Sequence, residues 1–253
     1  MLTGRLGAQA ASELPTVTAA FDSSASAPEN VFDDALWRQA TPAAQTLRAP
    51  SNVTFSKAPE ETHVRVLWSK ESLLIRFDCS DRSIVNLSGQ AAAARQRDLP
   101  YFKADAVEVF LDPVGDGRMY MEFQVAPTNG VFDAIYLCTD TPQSGPDLML
   151  LYSFVDRNLF TFPEWNLQDL QTATRIWPNG EGWSAVMAFP AKGVLKRLGK
   201  TAFAAGMKLK VNFVRFDYFA DNRQPLEITN WSPVLGGCAH VSPAGMGTIV
   251  LVP

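Results

Sequence analysis

Two carboxylates, an amide and a phenol are the side chains of this sequence whose spacing best suggests chemistry. Glu108 lies in the middle of one alternating run, and Tyr120, Glu122 and Gln124 alternate in the run that follows. If both runs are strands of one hairpin, these side chains point toward a common surface. Such a surface offers hydrogen-bonding groups beside an aromatic ring, which suits the hydroxyls and C–H faces of a sugar. The same alternation is also typical of a solvated outer sheet face.

Strands joined by tight turns are the elements expected to position these side chains. Alternating runs at 63–68 and 73–79 flank a hairpin connection, and those at 105–111 and 118–125 flank a turn rich in proline and glycine. Later strands are predicted at 131–137, 148–155, 170–176, 183–189, 209–218 and 247–252. This pattern predicts an all-β fold, specifically an antiparallel β-sandwich with one or two short helical turns.

The helical turns and the domain limits follow from the rest of the pattern. Helical turns are predicted at 32–37, where Trp37 is expected to close one end of the core, and at 192–198. Residues 1–28 are rich in Ala, Ser, Thr and Pro, so we expect a flexible lead-in. Residues 29–253 are predicted to be a single domain, because sandwiches of about 200–250 residues commonly form one domain.

Composition narrows the classes of partner. The net charge of -4 and the absence of a basic run argue against nucleic acid. No segment approaches the roughly 18 apolar residues of a membrane span, and residues 1–12 lack the apolar core of an intact signal peptide. The three cysteines, Cys79, Cys138 and Cys238, allow at most one disulfide. Buried free thiols are the favoured interpretation.

Several segments resemble family 9 carbohydrate-binding modules, which belong to the wider DOMON-like group of sandwiches. The clearest is 102–112, with the sequence FKADAVEVFLD, and 32–37, 182–190 and 230–233 are similar to further motifs of the family in the same order. The resemblance covers nearly all of the chain after residue 28. It implies a jelly-roll or DOMON-like sandwich, an extracellular or periplasmic protein, and non-catalytic binding of an oligo- or polysaccharide.

The resemblance also implies roles for individual residues. In that family a sugar lies between two aromatic side chains, while a carboxylate and amide or guanidinium groups bind its hydroxyls. By position, Phe102 matches the first aromatic clamp, Glu108 the carboxylate, and Asn230 with Trp231 the second clamp. Gln124 stands where an arginine is expected, and Phe102 where a tryptophan is expected. These two departures predict weaker binding, a different sugar or no sugar binding.

Two further residues are candidates for ligand contact. Arg215 is expected either to contact the ligand or to pair with a carboxylate such as Glu108 or Asp217. Trp165 lies in a loop rich in aromatics and is predicted to be an exposed third platform for a sugar. Trp231 has an alternative role as an ordinary plug at the end of the sandwich.

Calcium is the metal that the resemblance implies, because family members often hold structural calcium. Asp112 and Asp116 are weak candidates for oxygen ligands in the turn after 105–111. Their spacing does not match an EF-hand loop, and a plain turn is the simpler interpretation.

Haem binding is one alternative function, since DOMON-like sandwiches include b-type haem carriers. The axial ligands would be Met119, Met121 or Met207 with His63 or His240. In an apolar chain, however, methionines more often fill the core.

Catalysis and docking are two further candidate functions. Glu108 and Glu122 could form a glycosidase dyad, although the sequence shows no nucleophile–base motif. The domain could also be an accessory module that docks onto a larger glycan-processing enzyme. The type of sugar, its linkage and the oligomeric state are not specified by these patterns.

Overall fold

Short β-strands make up most of the chain that the structure, a computed structural model, describes. The described residues are 14–25, 31–40, 42–44, 48–51, 54–57, 60–86, 97–99, 101–138, 159–218, 227–232, 240 and 245–253. The strands are β1 (Thr16–Phe21), β2 (Pro42–Ala44), β3 (Arg48–Ser51), β4 (Thr54–Lys57), β5 (Thr62–Trp68), β6 (Ser72–Ser80), β7 (Ala106–Asp112), β8 (Met119–Val125), β9 (Val131–Cys138), β10 (Leu159–Phe162), β11 (Gln171–Ile176), β12 (Gly182–Pro190), β13 (Lys208–Asp217), β14 (Glu227–Asn230) and β15 (Gly247–Leu251). The helices are α1 (Asp34–Trp37) and α2 (Ala191–Val194), with 3-10 turns at Tyr101–Lys103 and Lys196–Leu198.

The strands form two layers that β1 connects. Sheet A has the order β10-β9-β8-β7-β13, and both β15 and β14 pair with β13 on its far side. Sheet B has the order β5-β6-β12-β11, with β2 beside β5. Strand β1 runs parallel to β15 through Thr16–Ala19 and then parallel to β5 through Ala20 and Phe21. The two layers are therefore joined along one side of the sandwich.

The main core lies between sheets A and B. The rings of Phe77 in sheet B and Phe213 in sheet A meet edge to face, with centroids 5.9 Å apart. Phe123 and Phe189 make the same kind of contact at 4.8 Å. All four side chains are buried, and complete burial of a side chain of this kind stabilises the fold by about 1.5–3 kcal/mol. The predicted all-β sandwich is confirmed.

Helix α1 covers the outer face of sheet B. Its N-terminus is capped by Asp33, whose carboxylate accepts a hydrogen bond from the N–H of Ala35 at 2.8 Å. Trp37 is buried on this outer face against Leu67, and its indole N–H donates to the carbonyl of Val31 at 2.7 Å. The expectation that Trp37 closes one end of the main core is therefore wrong. The apolar side chains that sheet B directs outward need a cover, and Trp37 provides it.

Strand β1 corrects the predicted flexible lead-in at Thr16–Phe21. Val17 and Ala19 are buried in the main core, and the backbone of this strand pairs with β15 and β5. Local composition did not indicate this strand, because its partners are far away in the sequence. Residues 1–13 and 26–28, like the predicted strand at 148–155, lie outside the described residues.

No helix within the described ranges has both the length and the apolar character needed to cross a membrane.

Candidate functional site

The outer face of sheet A brings three of the predicted polar residues into one row. The register pairs Gln124 with Glu108, Glu108 with Val214, and Val214 with Asn230. Directly paired residues share a sheet face, so these side chains lie side by side across β8, β7, β13 and β14. We call Gln124, Glu108 and Asn230 the polar row. All three are buried, which strengthens any hydrogen bond that they make.

Glu122 lies beside the polar row on the same face, next to two of its members. Gln124 donates a hydrogen bond from Nε2 to Oε1 of Glu122 at 2.7 Å. Glu108 is the diagonal neighbour of Glu122 across β7 and β8. Burial raises the pKa of Glu108 well above its usual value, and the adjacent Glu122 carboxylate acts in the same direction. The neutral, protonated form of Glu108 is therefore favoured over its charged form.

Aromatic rings continue this face along β8 and β9. Tyr120 and Tyr136 stack with centroids 5.1 Å apart and their planes 7° from parallel. The His240 ring lies 4.5 Å from Tyr136 and 5.0 Å from Phe110. Its Nε2 is 3.7 Å from Oε2 of Glu122. Burial lowers the pKa of His240, which favours its neutral form, and the Glu122 charge opposes this effect.

Two half-buried rings at this face were not among the candidates from the sequence. Phe132 pairs directly with Gln124 across β8 and β9. Phe216 follows Val214 by two positions on β13 and so shares its face. The alternation of 131–137 was a usable signal for Phe132, once this run was paired with 118–125. Phe216 could be placed only after β13 was known to pair with β7.

Several polar atoms of this face have no hydrogen-bond partner in the described part of the chain. They are Oε2 of Glu122, Oε1 of Gln124, and both Oδ1 and Nδ2 of Asn230. Leaving one buried polar group unpaired costs about 1–3 kcal/mol, so such atoms are uncommon unless a ligand or water satisfies them. The face therefore has the free hydrogen-bonding groups that a polar ligand needs.

The structure bears differently on the two residues that were predicted to be aromatic clamps. Phe102 belongs to the 3-10 turn directly before β7, and its side chain lies outside the described part, so its role stays a prediction. Trp231 packs on the core side of sheet A, with its ring 5.0 Å from that of Phe213. Its backbone N–H donates to the carbonyl of Phe213 at 2.9 Å. The structure therefore separates Trp231 from Asn230 and agrees with its alternative role as a plug.

Arg215 lies on the opposite face of sheet A from the polar row. Its Nη2 is 3.2 Å from Oδ1 of Asp217, 3.3 Å from Asp81 and 3.6 Å from Glu60. The side chain is 1% exposed. Arg215 therefore pairs with Asp217, and the expected alternative partner, Glu108, lies across the sheet. Strand alternation is the reason, since the neighbouring Val214 faces the polar row.

Among the described residues, the carboxylates around Arg215 form the group whose oxygens lie close enough together to bind a metal ion. Oxygens of Glu60, Asp81 and Asp217 lie within 4.8 Å of one another. The guanidinium of Arg215 already lies among them and supplies the positive charge, so the group does not fit a calcium ion. Burial raises the pKa of Asp217 to about 7 against the opposing effect of Arg215.

The turn between β7 and β8 uses both carboxylates that the sequence suggested for calcium. Asp112 accepts hydrogen bonds from the backbone N–H groups of Val114, Gly115 and Gly117 at 2.8–3.1 Å. Asp116 accepts from the N–H of Arg118 at 2.9 Å and pairs with Arg197 at 2.8 Å. The arrangement fits the turn interpretation and does not fit a metal site.

Trp165 is not the exposed platform that the sequence predicted. Its ring packs edge to face against Phe123 of the main core, with centroids 6.2 Å apart. The exposed rings near it in sequence are Phe160 and Phe162 on β10, which are 55% and 44% exposed. Trp165 is therefore partly buried because it closes the core beside Phe123.

The methionines suggested as haem ligands do not meet His240. Met121 is buried in the main core, Met119 shares its strand face, and Met207 packs against the same core. His240 lies across sheet A from this core. His63 is on β5 of sheet B, 3.6 Å from Glu61. The suggested ligand pairs are therefore separated by whole sheets.

Comparison with known proteins agrees with this architecture. The family described as "Carbohydrate family 9 binding domain-like" matches residues 30–129, a segment that includes Glu108 and Gln124. No curated protein is detectably similar to the chain in sequence.

Solved structures share the fold across nearly the whole chain. A protein from Bacteroides uniformis ATCC 8492, provisionally described as carbohydrate-binding, has a TM-score of 0.64 at 16% identity and covers 94% of this chain and 99% of its own. A family 9 module from Caldicellulosiruptor kristjanssonii, solved with cellotriose, has a TM-score of 0.59 at 15% identity and covers 94% and 93%. A family 9 module from the same organism, solved with glucose, has a TM-score of 0.59 at 14% identity and covers 93% and 95%. The chain thus carries a carbohydrate family 9 binding domain-like segment within a sandwich that has the fold of family 9 carbohydrate-binding modules.

Proposed function

We propose that this chain binds carbohydrate without transforming it, on the outer face of sheet A at the polar row. The observation that carries the proposal is the register that sets Gln124, Glu108 and Asn230 in one row, with Val214 between the last two, and with unpartnered atoms on this face. Sugar hydroxyls both donate and accept, so they can satisfy atoms of either kind. Solved family 9 modules that share the fold hold cellotriose and glucose, which supports glucose-based oligosaccharides as the first ligands to test.

Each member of the site has its own role in this proposal. Asn230 donates and accepts hydrogen bonds with sugar hydroxyls, and Oε1 of Gln124 accepts one. Phe132 and Phe216 offer half-buried rings to the C–H face of the sugar, and Phe102 stays the candidate for a clamp. The polar row is buried, so binding must include the cost of exposing its side chains to the sugar. Part of its binding energy offsets that cost.

The family match supports binding rather than hydrolysis, because the family that matches residues 30–129 is described as a carbohydrate-binding domain. The proposal includes an extracellular or periplasmic location and an accessory part in polysaccharide degradation, where such a module keeps its partner enzyme near the substrate.

Titration calorimetry with glucose, cellobiose and cellotriose tests the proposal on the full chain. Wild-type protein should bind at least one of these sugars, and Asn230→Ala should weaken binding about tenfold or more through lost hydrogen bonds. The stability of this variant should change little, because the amide atoms of Asn230 have no partner among the described residues. Asn166→Ala, in the exposed loop after β10, is the matched control. The proposal fails if wild type binds no sugar, or if folded Asn230→Ala binds like wild type.

A further inference from the structure

Most of the unpartnered polar atoms on the outer face of sheet A are hydrogen-bond acceptors. Oε2 of Glu122, Oε1 of Gln124 and Oδ1 of Asn230 accept, whereas Nδ2 of Asn230 alone donates. Exchanging the amide oxygen and nitrogen of Asn230 does not alter this balance. A ligand that satisfies the face must therefore present mainly donors.

The charge on the outer face of sheet A also favours a ligand that presents mainly hydrogen-bond donors. Glu108 and Glu122 are diagonal neighbours across β7 and β8, and Oε2 of Glu122 lies 3.7 Å from Nε2 of His240. Burial lowers the pKa of His240, which favours its neutral form. Lys210 lies opposite Asp112 in the register of β13 and β7, and its Nζ donates to the carbonyl of Met246 at 3.3 Å. Among the described side chains, no lysine or arginine forms an ion pair with Glu108 or Glu122.

We propose that this site selects sugars by charge, preferring an amino sugar with a free ammonium group over its neutral counterpart and rejecting sugar carboxylates. This inference rests on the proposed function. An ammonium group donates three hydrogen bonds and accepts none, and its bonds to a carboxylate are stronger than those of a hydroxyl. A sugar carboxylate would face the acceptors of Glu122, Gln124 and Asn230 and would be repelled by the two glutamates.

A charge-matched sugar panel near neutral pH tests the inference by calorimetry. The panel consists of glucose, glucose analogues with an amine at C2, C3 or C6, and glucuronate. At least one amino sugar should bind about fivefold or more tightly than glucose, and glucuronate about tenfold or more weakly. In Glu122→Gln the advantage of the amino sugar should fall toward equality with glucose. Glu181→Gln, an exposed residue between β11 and β12, removes the same charge elsewhere and should leave the ranking unchanged.

The outcomes separate this inference from the function beneath it. If glucose binds but no amino sugar binds more tightly, or if glucuronate matches glucose, charge selection is wrong and carbohydrate binding stands. If Glu181→Gln removes the preference as Glu122→Gln does, overall protein charge is the cause and the inference is overturned. If no sugar of either panel binds, both the function and the inference are wrong. Binding of an amino sugar alone supports both.

Discussion

Gln124 donates a hydrogen bond from Nε2 to Oε1 of Glu122, two positions earlier on the same strand, at 2.7 Å. This bond orients the amide so that its own Oε1 is left without a partner in the described structure. The resemblance to family 9 modules places an arginine at this position. The residue that stands there is neutral, and Glu108 and Glu122 lie next to it on the same sheet face.

Gln124→Arg should reverse the charge preference of the site. A guanidinium at this position would pair with Glu108 and Glu122 and offer donors to a ligand. We expect glucuronate to bind about tenfold or more tightly than to wild type, as measured by calorimetry. Gln171→Arg, at an exposed position on β11, is the matched control. Folded Gln124→Arg that binds glucuronate no better than this control would contradict the prediction.

Arg215→Met should destabilise the fold strongly. It leaves the carboxylates of Asp217, Asp81 and Glu60 without the guanidinium now 3.2–3.6 Å away. Removing one partner of a buried ion pair costs about 3–5 kcal/mol. Denaturant unfolding measures this loss. Arg197→Met, which breaks the more exposed pair with Asp116, should cost about 0–1 kcal/mol, and equal losses in the two variants would show that the buried cluster is not stabilising.

Stability should fall as the pH rises from about 5 to about 8. Burial raises the pKa of Asp217 to about 7 and that of Asp105 to about 8, both from 3.8. The folded state therefore holds protons that the unfolded chain has already released. The stabilising contribution is complete below about pH 4 and is lost as the pH rises through the two folded values. Tm measured across this range should decrease.

Asp217→Asn tests the source of this pH dependence, because asparagine cannot ionise. The decrease in Tm between about pH 5 and about pH 8 should be smaller in this variant than in wild type. Exposed Asp169→Asn should keep the wild-type slope. If Asp217→Asn also keeps it, the titrating group lies elsewhere.

Trp231→Ala should lower stability while leaving sugar affinity unchanged in the folded protein. The ring packs against Phe213 in the main core, on the side of sheet A away from the polar row. Removing it leaves a cavity that costs about 2 kcal/mol or more, which denaturant unfolding measures. Phe102→Ala, the variant of the other predicted clamp, should instead weaken glucose binding. A large loss of affinity in Trp231→Ala would restore its assignment as a clamp.

Calcium should leave Tm unchanged. The carboxylate of Asp112 accepts three backbone hydrogen bonds in its turn, and the Glu60, Asp81 and Asp217 group already surrounds Arg215. Asp112→Ala should destabilise the fold by about 1–3 kcal/mol through unpaired N–H groups. Thermal unfolding with added calcium and then with a chelator checks the first expectation. A rise in Tm with calcium that Asp112→Ala abolishes would show that this turn binds the ion.

The sequence by itself determined the strands of the central hairpin and the face on which the side chains of each strand lie. Period-two alternation is a local property of an extended chain, so it placed Tyr120, Glu122 and Gln124 on one face of their strand, and the hairpin turn between the two runs brought Glu108 to the same surface. It also predicted that successive short strands would build a sandwich, which the packing of Phe77 against Phe213 confirms. The turn at Asp112 was likewise readable from its proline and glycine residues.

Only the tertiary structure decided which distant strands lie beside this hairpin. Pairing of β13 with β7 and of β14 with β13 brought Asn230 into the polar row, while the same register directed Arg215 away from it. The pairing of β1 with β15 joined a supposed lead-in to the end of the chain. Such choices depend on hydrogen bonds and packing between residues far apart in sequence, and a one-residue change in register would exchange the two faces.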